Sequence, residues 1–371
     1  MRGENVNPKG LVATAACAAL TVAAVGCGGS STSSTGSAGS STPKSSGTIN
    51  GAGATFPAPV YQEWAARLKD ASGLTVNYQG IGSGGGIAQF TAKTVDFGAT
   101  DSAMKDEEVA AAQKVGEPVH VPTVFGAVTV AYNVKDVATG LKLDGATVAN
   151  LFLGKITKWN DPAITALNPG VTLPSEDVTI CHRSDESGTT KLFTTFLNAY
   201  SAEWKSKVGS DKSVQWPTGT GAKGNDGVAA CIKQSEGAVG FVEEAYALQN
   251  NFTTAALKNK SGNYITPSLE STSAAGVGLT LPADLRFNTI DAPGAQAYPI
   301  ASATFLLVYQ DMCKAGYSES TAKDVKIWLD YALGDGQAVA PELQYAPLPA
   351  PTLAAAKAKV AALQCNGAPL T

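Results

Sequence analysis

Leu74-Thr75-Val76-Asn77-Tyr78-Gln79, followed by Gly80-Ile81-Gly82-Ser83-Gly84-Gly85, decides the fold class. Residues 74–79 read as a strand. The glycines after them make a tight turn, and the apolar spacing over 85–94 predicts a helix. Residues 97–99 then read as another short strand. Strand, turn, helix and strand make the repeating unit of an α/β protein, and the same alternation continues on both sides. Gly80-x-Gly82-x-x-Gly85 also matches the dinucleotide fingerprint, with Asp101 about twenty residues further on. The export signal described below argues against a dinucleotide. The glycines instead let backbone N–H groups approach a smaller anion, to which Ser83 adds its hydroxyl.

Upstream, Pro57 occupies a favourable first helical position, and Val60, Trp64 and Leu68 recur every four residues to give one buried face. Downstream, residues 120–123 and 127–133 are extended apolar runs flanking Phe125-Gly126, a natural crossing between lobes. Residues 178–182 predict a strand entering the Arg183 loop, and 189–198 a helix with Leu192, Phe193, Phe196 and Leu197 inward. Buried strands are predicted at 239–242 and 303–309, and helices at 320–333 and 351–363. Crossings near Thr123 and Ser302 make 123–302 one lobe, with 48–122 and 303–371 forming the other. Proteins of this kind bind ligands in the crevice, at the carboxyl ends of strands.

The chain opens with Arg2 and Lys9 and an apolar run over 11–26, short for a membrane span but suited to a secretory signal. It ends Ala24-Val25-Gly26-Cys27, which resembles a bacterial lipoprotein signal. The expectation is a signal peptide over 1–26 and lipidation of Cys27; a plain signal peptide cut nearby is the other reading. Residues 27–47 are almost wholly Ser, Thr, Gly, Ala and Pro and form a flexible tether. Charged residues are 16% of the chain and the net charge is −4, which excludes a nucleic-acid footprint. Cys181, Cys231, Cys313 and Cys365 remain after the signal and the lipidated residue, an even number that favours disulfides in an exported protein. Of the three pairings that four cysteines allow, Cys181–Cys231 with Cys313–Cys365 keeps each bridge inside one lobe. Two histidines and no zinc motif point to no metal, and no cofactor is expected.

The binding chemistry sits at three predicted helix starts, Ala54-Thr55-Phe56-Pro57, Ile81-Gly82-Ser83-Gly84-Gly85 and Ser187-Gly188-Thr189. A helix N-terminus presents unpaired N–H groups and partial positive charge, so it attracts anions. Taken alone, Thr55 is an ordinary N-cap; with the other two loops it joins a donor set. Arg183 offers a planar fork for two oxygens of a tetrahedral anion, and Asp185 can orient it. Asp101, charged at its ordinary pKa, accepts only, so it suits a ligand that brings a proton, as phosphate does and sulfate does not. Ser102-x-x-Lys105 fits a serine acyl-enzyme pattern, but the partner motifs Lys-Thr-Gly and Ser-Asp-Asn are absent from the sequence.

Gly51-Ala52-Gly53-Ala54-Thr55-Phe56-Pro57-Ala58-Pro59, Gly80-Ile81-Gly82-Ser83-Gly84-Gly85, Asp96-Phe97-Gly98-Ala99-Thr100-Asp101 and Arg183-x-Asp185-x-Ser187-Gly188-Thr189 occur in this order. Together they resemble the phosphate-binding proteins of the bacterial ABC phosphate importer. Leu153-Gly154-Lys155-Ile156-x-x-Trp159 and Gly224-Asn225-Asp226-Gly227 extend the resemblance over the whole body. It implies a two-lobed periplasmic-binding-protein fold of type II (Venus-flytrap) with ligand in the interlobe cleft, and a receptor rather than an enzyme. It also implies that Thr55, Phe56, Ser83, Asp101, Arg183, Ser187, Gly188 and Thr189 hold phosphate, Phe56 and Gly188 through main-chain N–H, with Asp185 as the Arg183 partner. The implied partners are inorganic phosphate, ABC permease membrane subunits with their ATPase, and a membrane through the lipid anchor. A sulfate- or molybdate-type oxyanion receptor and a secreted phosphatase are the alternatives. Glu186 is expected to face solvent, and Asp226 to cap a helix.

Overall fold

The computed structural model describes residues 42–371; the expected signal peptide, Cys27 and most of the tether lie outside the described residues. Its centre is a sheet of β1 (Thr48–Gly53), β2 (Thr75–Gly80), β3 (Phe97–Thr100), β4 (Pro118–Asn133), β5 (Thr179–Arg183), β6 (Thr220–Ala222), β7 (Ala238–Glu243), the short β8 (Thr253–Thr254) and β9 (Ala301–Tyr309). The order is β2-β1-β3-β9-β4-β7-β5-β6, with β8 beside β4. β1 pairs in parallel with β2 and β3, and β5 in parallel with β6 and β7, while β9 and β4 run antiparallel to their neighbours. The helices that matter for the site are α1 (Ala58–Ser72), α2 (Ser83–Thr91), α3 (Asp106–Ala112), α4 (Gly188–Tyr200), α5 (Gly224–Gln234) and α6 (Glu244–Gln249). The architecture is the expected two-lobed α/β type.

Helix α1 buries Val60, Trp64 and Leu68, and it stops where Gly73 adopts φ 91°, the left-handed conformation that ends a helix cheaply. Its tryptophan stacks with Tyr61 and meets Trp328 edge-on, so one half of the sheet has its own aromatic core. Phe193 stacks on Phe241, with Phe152 against both, in the other half. Cys181–Cys231 and Cys313–Cys365 are both bonded, the pairing expected from the sequence.

Two expectations differ from the structure. The helix after the glycine turn begins at Ser83, not at residue 85, because Gly82 at φ 91° completes the turn by itself. The two runs flanking Phe125-Gly126 are one 16-residue strand. β4 pairs with β9 as far as Ala127 and with β7 from Val128, so hydrogen bonding never lapses where the partner changes. Phe125 also exchanges two backbone bonds of 2.9 Å with Ala346 at this crossing.

Candidate anion-binding site

Four loops leave the carboxyl ends of β1, β2, β3 and β5 and converge. They carry Thr55 and Phe56, Ser83, Asp101, and Arg183 to Thr189 respectively. All eight expected ligand positions are buried, although the pocket contains four hydroxyl residues and two charged ones. Burial of polar groups is tolerated only when they are hydrogen-bonded, so each bond has to be followed.

The hydroxyl oxygens are all occupied as acceptors. Thr55 Oγ1 receives Asn225 N at 3.2 Å and Asn225 Nδ2 at 2.9 Å. Ser83 Oγ receives Asp101 N at 3.2 Å and Gly188 N at 3.1 Å. Ser187 Oγ caps α4 by accepting from Thr190 N at 3.0 Å, and Thr189 Oγ1 accepts from Arg183 Nη1 at 3.3 Å. Thr55, Ser187 and Thr189 donate no hydroxyl hydrogen in a bond among the described residues, whereas the Ser83 hydroxyl bonds the Asp101 carboxyl. A hydroxyl whose oxygen is held and whose hydrogen is unused is a donor waiting for an acceptor. The Gly188 N–H, expected to face a ligand, points at Ser83 Oγ, so a ligand oxygen must share or displace that contact.

Arg183 is almost completely buried. Its Nε donates to Asp185 Oδ1 at 2.7 Å and its Nη2 to Asp185 Oδ2 at 2.5 Å, the bidentate arrangement of a planar fork. With Nη1 bound to Thr189, one hydrogen on each terminal nitrogen remains. Asp185 also accepts from Gly224 N at 3.0 Å. Burial raises its pKa, but Arg183 and this N–H outweigh that and hold the carboxyl below its usual range. Asp101 has no such partner. Burial pushes its carboxyl up to about 7, against the pull of the Thr304 hydroxyl at 3.0 Å and of Arg183. The ordinary pKa assumed from the sequence therefore does not apply to Asp101.

Three features were not read from the sequence. The carbonyls of Ala54, Thr55 and Phe56 each accept from a tyrosine hydroxyl: Tyr78 at 2.6 Å, Tyr246 at 2.6 Å and Tyr345 at 2.7 Å. Holding the Ala54 and Thr55 carbonyls fixes the peptides that bear the Thr55 and Phe56 N–H groups. Asn225, not Asp226, makes the contact to Thr55; Asp226 is exposed and forms no side-chain cap bond. Glu186 is exposed as expected, but its side chain lies over Gly84, where a Cβ would collide with it, and its carbonyl accepts from Gly84 N at 2.9 Å. Tyr345 lies 289 residues from the carbonyl it holds, a pairing no local pattern announces.

Residues 38–335 match the model of the PBP superfamily domain. The chain is 43% identical over 305 residues to the phosphate-binding protein PstS of Pasteurella multocida, covering 81% of this chain and 86% of that protein. The chain belongs to the PstS family. The PstS of Haemophilus influenzae is 42% identical over 325 residues, 84% of this chain and 92% of that protein. A solved phosphate-binding protein from Stenotrophomonas maltophilia shares the fold of this PstS-family chain, with TM-score 0.66 at 21% identity over 84% of this chain and 93% of that one. The superfamily match includes every loop of the site, whereas Tyr345 lies beyond it.

Proposed function

We propose that the chain is an extracytoplasmic receptor that binds inorganic phosphate and delivers it to the permease and ATPase of an ABC importer. Lipid on Cys27 and the 27–47 tether hold it at the outer face of the cytoplasmic membrane. Its lobes, 48–122 with 303–371 on one side and 123–302 on the other, close on the ion as a hinge biased by contacts to both. Thr55, Ser83, Ser187 and Thr189 donate their hydroxyl hydrogens, Phe56 and Gly188 their N–H groups, and Arg183 its two remaining hydrogens. Asp101 accepts the proton that phosphate carries. Sulfate brings none at neutral pH and would leave two buried acceptors facing each other.

One observation carries this reading: four buried hydroxyls with occupied oxygens, three of them with unused hydrogens, stand on the converging loops that also carry a buried guanidinium. Such a shell stabilises a bound anion itself rather than a transition state, so we read the site as a receptor's. The names of the relatives, binding proteins in each case, support this. Calorimetry with phosphate, sulfate and molybdate tests it. Saturable heat at one site for phosphate alone is expected, and absence of phosphate heat would defeat the reading.

A further inference from the structure

Of the three tyrosines that hold the 54–56 carbonyls, Tyr345 has one hydrogen too few for its neighbours. Its oxygen lies 2.7 Å from the Phe56 carbonyl and 2.9 Å from Glu243 Oε2. A phenol has a single hydrogen and a carbonyl only accepts. If that hydrogen goes to Phe56, the contact with Glu243 needs a hydrogen on the carboxyl. Glu243 is fully buried at the end of β7, and its Oε1 has no partner among the described residues. Its Oε2 accepts Ala245 N at 2.8 Å. The charged and titratable groups facing it are Glu244, Tyr246 and Tyr345; no lysine, arginine or histidine among the described residues bonds to it. Gly126, at the β4 crossing, leaves the space between them: a Cβ there would lie 2.6 Å from the Phe56 ring and 3.1 Å from Glu243 Oε1.

We propose that Glu243 is a neutral carboxylic acid that donates to Tyr345, and through it fixes the Phe56 loop from the strand where β4 changes partner. Burial pushes this carboxyl well above the usual range, and the neighbouring Glu244 adds to the effect. Glu243 and Tyr345 are thus positioning residues, Glu243 reaching across from the other half of the sheet. The affinity part of this inference rests on the phosphate reading; the protonation part does not.

Infrared difference spectra of the purified protein at pH 8, wild type minus Glu243→Gln, test the protonation. A protonated-carboxyl carbonyl band lost in the variant is expected, and a change confined to carboxylate bands would overturn it. Calorimetry then tests the positioning. Glu243→Gln, whose amide nitrogen still donates to Tyr345 but no longer accepts from Ala245 N, melts lower yet keeps the phosphate Kd within about twofold, while Tyr345→Phe raises it roughly fivefold to tenfold, the loss of one neutral hydrogen bond. An unchanged Kd in a folded Tyr345→Phe protein, or a large rise in Glu243→Gln, would overturn the positioning role. Should wild type bind no phosphate, the functional reading fails while the infrared band still decides Glu243.

Discussion

The wall built by the loops after β1, β2 and β3 holds its acid without a cation, whereas the wall built after β5 holds an acid locked to a guanidinium. Asp101 and Asp185 are the same residue type beside the same pocket, yet burial pushes the first up to about 7 and Arg183 holds the second down. On the proposed receptor reading, the difference assigns separate tasks. Arg183 brings the charge that draws an anion, and Asp185 keeps its fork in one plane. Asp101, held by the Thr304 and Ser83 hydroxyls but lacking a cation of its own, stays responsive to the protonation of whatever sits beside it. On that reading, attraction and discrimination reside on opposite sides and can be broken one at a time.

Removing attraction has the largest effect. Arg183→Ala is expected to weaken phosphate binding by about 3–5 kcal/mol, on the order of a thousandfold, because the ligand loses its cation and the part-buried Asp185 is left without its ion-pair partner. Calorimetry reads the loss and a thermal melt reads the accompanying destabilisation; a change below tenfold would mean that the guanidinium is not the centre of the site. Removing discrimination comes next. Asp101→Asn supplies a donor in place of the acceptor and is expected to recover roughly 2–4 kcal/mol of sulfate binding. The wild type should show the same relaxation with acid. As pH falls through about 7 the carboxyl takes its own proton and becomes a donor, so sulfate exclusion weakens toward pH 5 and strengthens toward pH 8. The stability sign follows the same proton. The folded protein holds it more tightly than the unfolded chain, so this group's contribution is full below the ordinary 3.8 and is lost as pH rises through about 7. In Asp101→Asn both dependences flatten, which competition titrations and melts across pH 4 to 8 would show.

The two walls were unequally legible in the sequence. Glycines, hydroxyls and one arginine stand within a few residues of strand ends, so strand period and helix-start chemistry locate Ser83, Thr55 and the 183–189 loop. The strand at 178–182 was found at Thr179–Arg183, and the one at 303–309 at Ala301–Tyr309. What the sequence did not yield are contacts made by folding itself. Tyr246 reaches Thr55 over 191 positions and Asn225 over 170. Nor could the sequence give the Asp101 carboxyl its raised pKa, since this comes from burial by β9 and its neighbours and not from any adjacent residue. The Thr304 that supports Asp101 pairs with Val124 at the edge of a register shift in the β9–β4 ladder; the next pair is Phe305 with Pro122, which has no N–H for a regular ladder. Only the paired strands show that the irregularity and the acid belong together.

A substitution where the walls touch sharpens the comparison with a smaller effect. A Cβ on Gly188 would collide with Ser83 Oγ and lie 2.7 Å from Asp101 Cβ and Oδ2. Gly188→Ala is therefore expected to keep its fold and lose about 1–3 kcal/mol of phosphate affinity through displaced backbone, measured by calorimetry beside an unchanged far-ultraviolet spectrum. Retained affinity would show that the walls need not approach this closely.

The smallest effect is expected at the edge of the cleft. Lys105 pairs with Asp211 at 2.6 Å, with both side chains 39% exposed. Exposed pairs contribute about 0–1 kcal/mol and are screened by salt, so Lys105→Ala should change the phosphate Kd less than about fivefold. The same variant examines the Ser102-x-x-Lys105 pattern. A lysine acting as a general base needs its pKa lowered, yet the Asp211 bond raises that of Lys105 and holds the ammonium on the acid of the opposite wall. Any hydrolysis of a chromogenic ester or phosphate monoester by wild type should thus survive in Lys105→Ala, and its disappearance would return this lysine from the rim of a receptor to the centre of an enzyme.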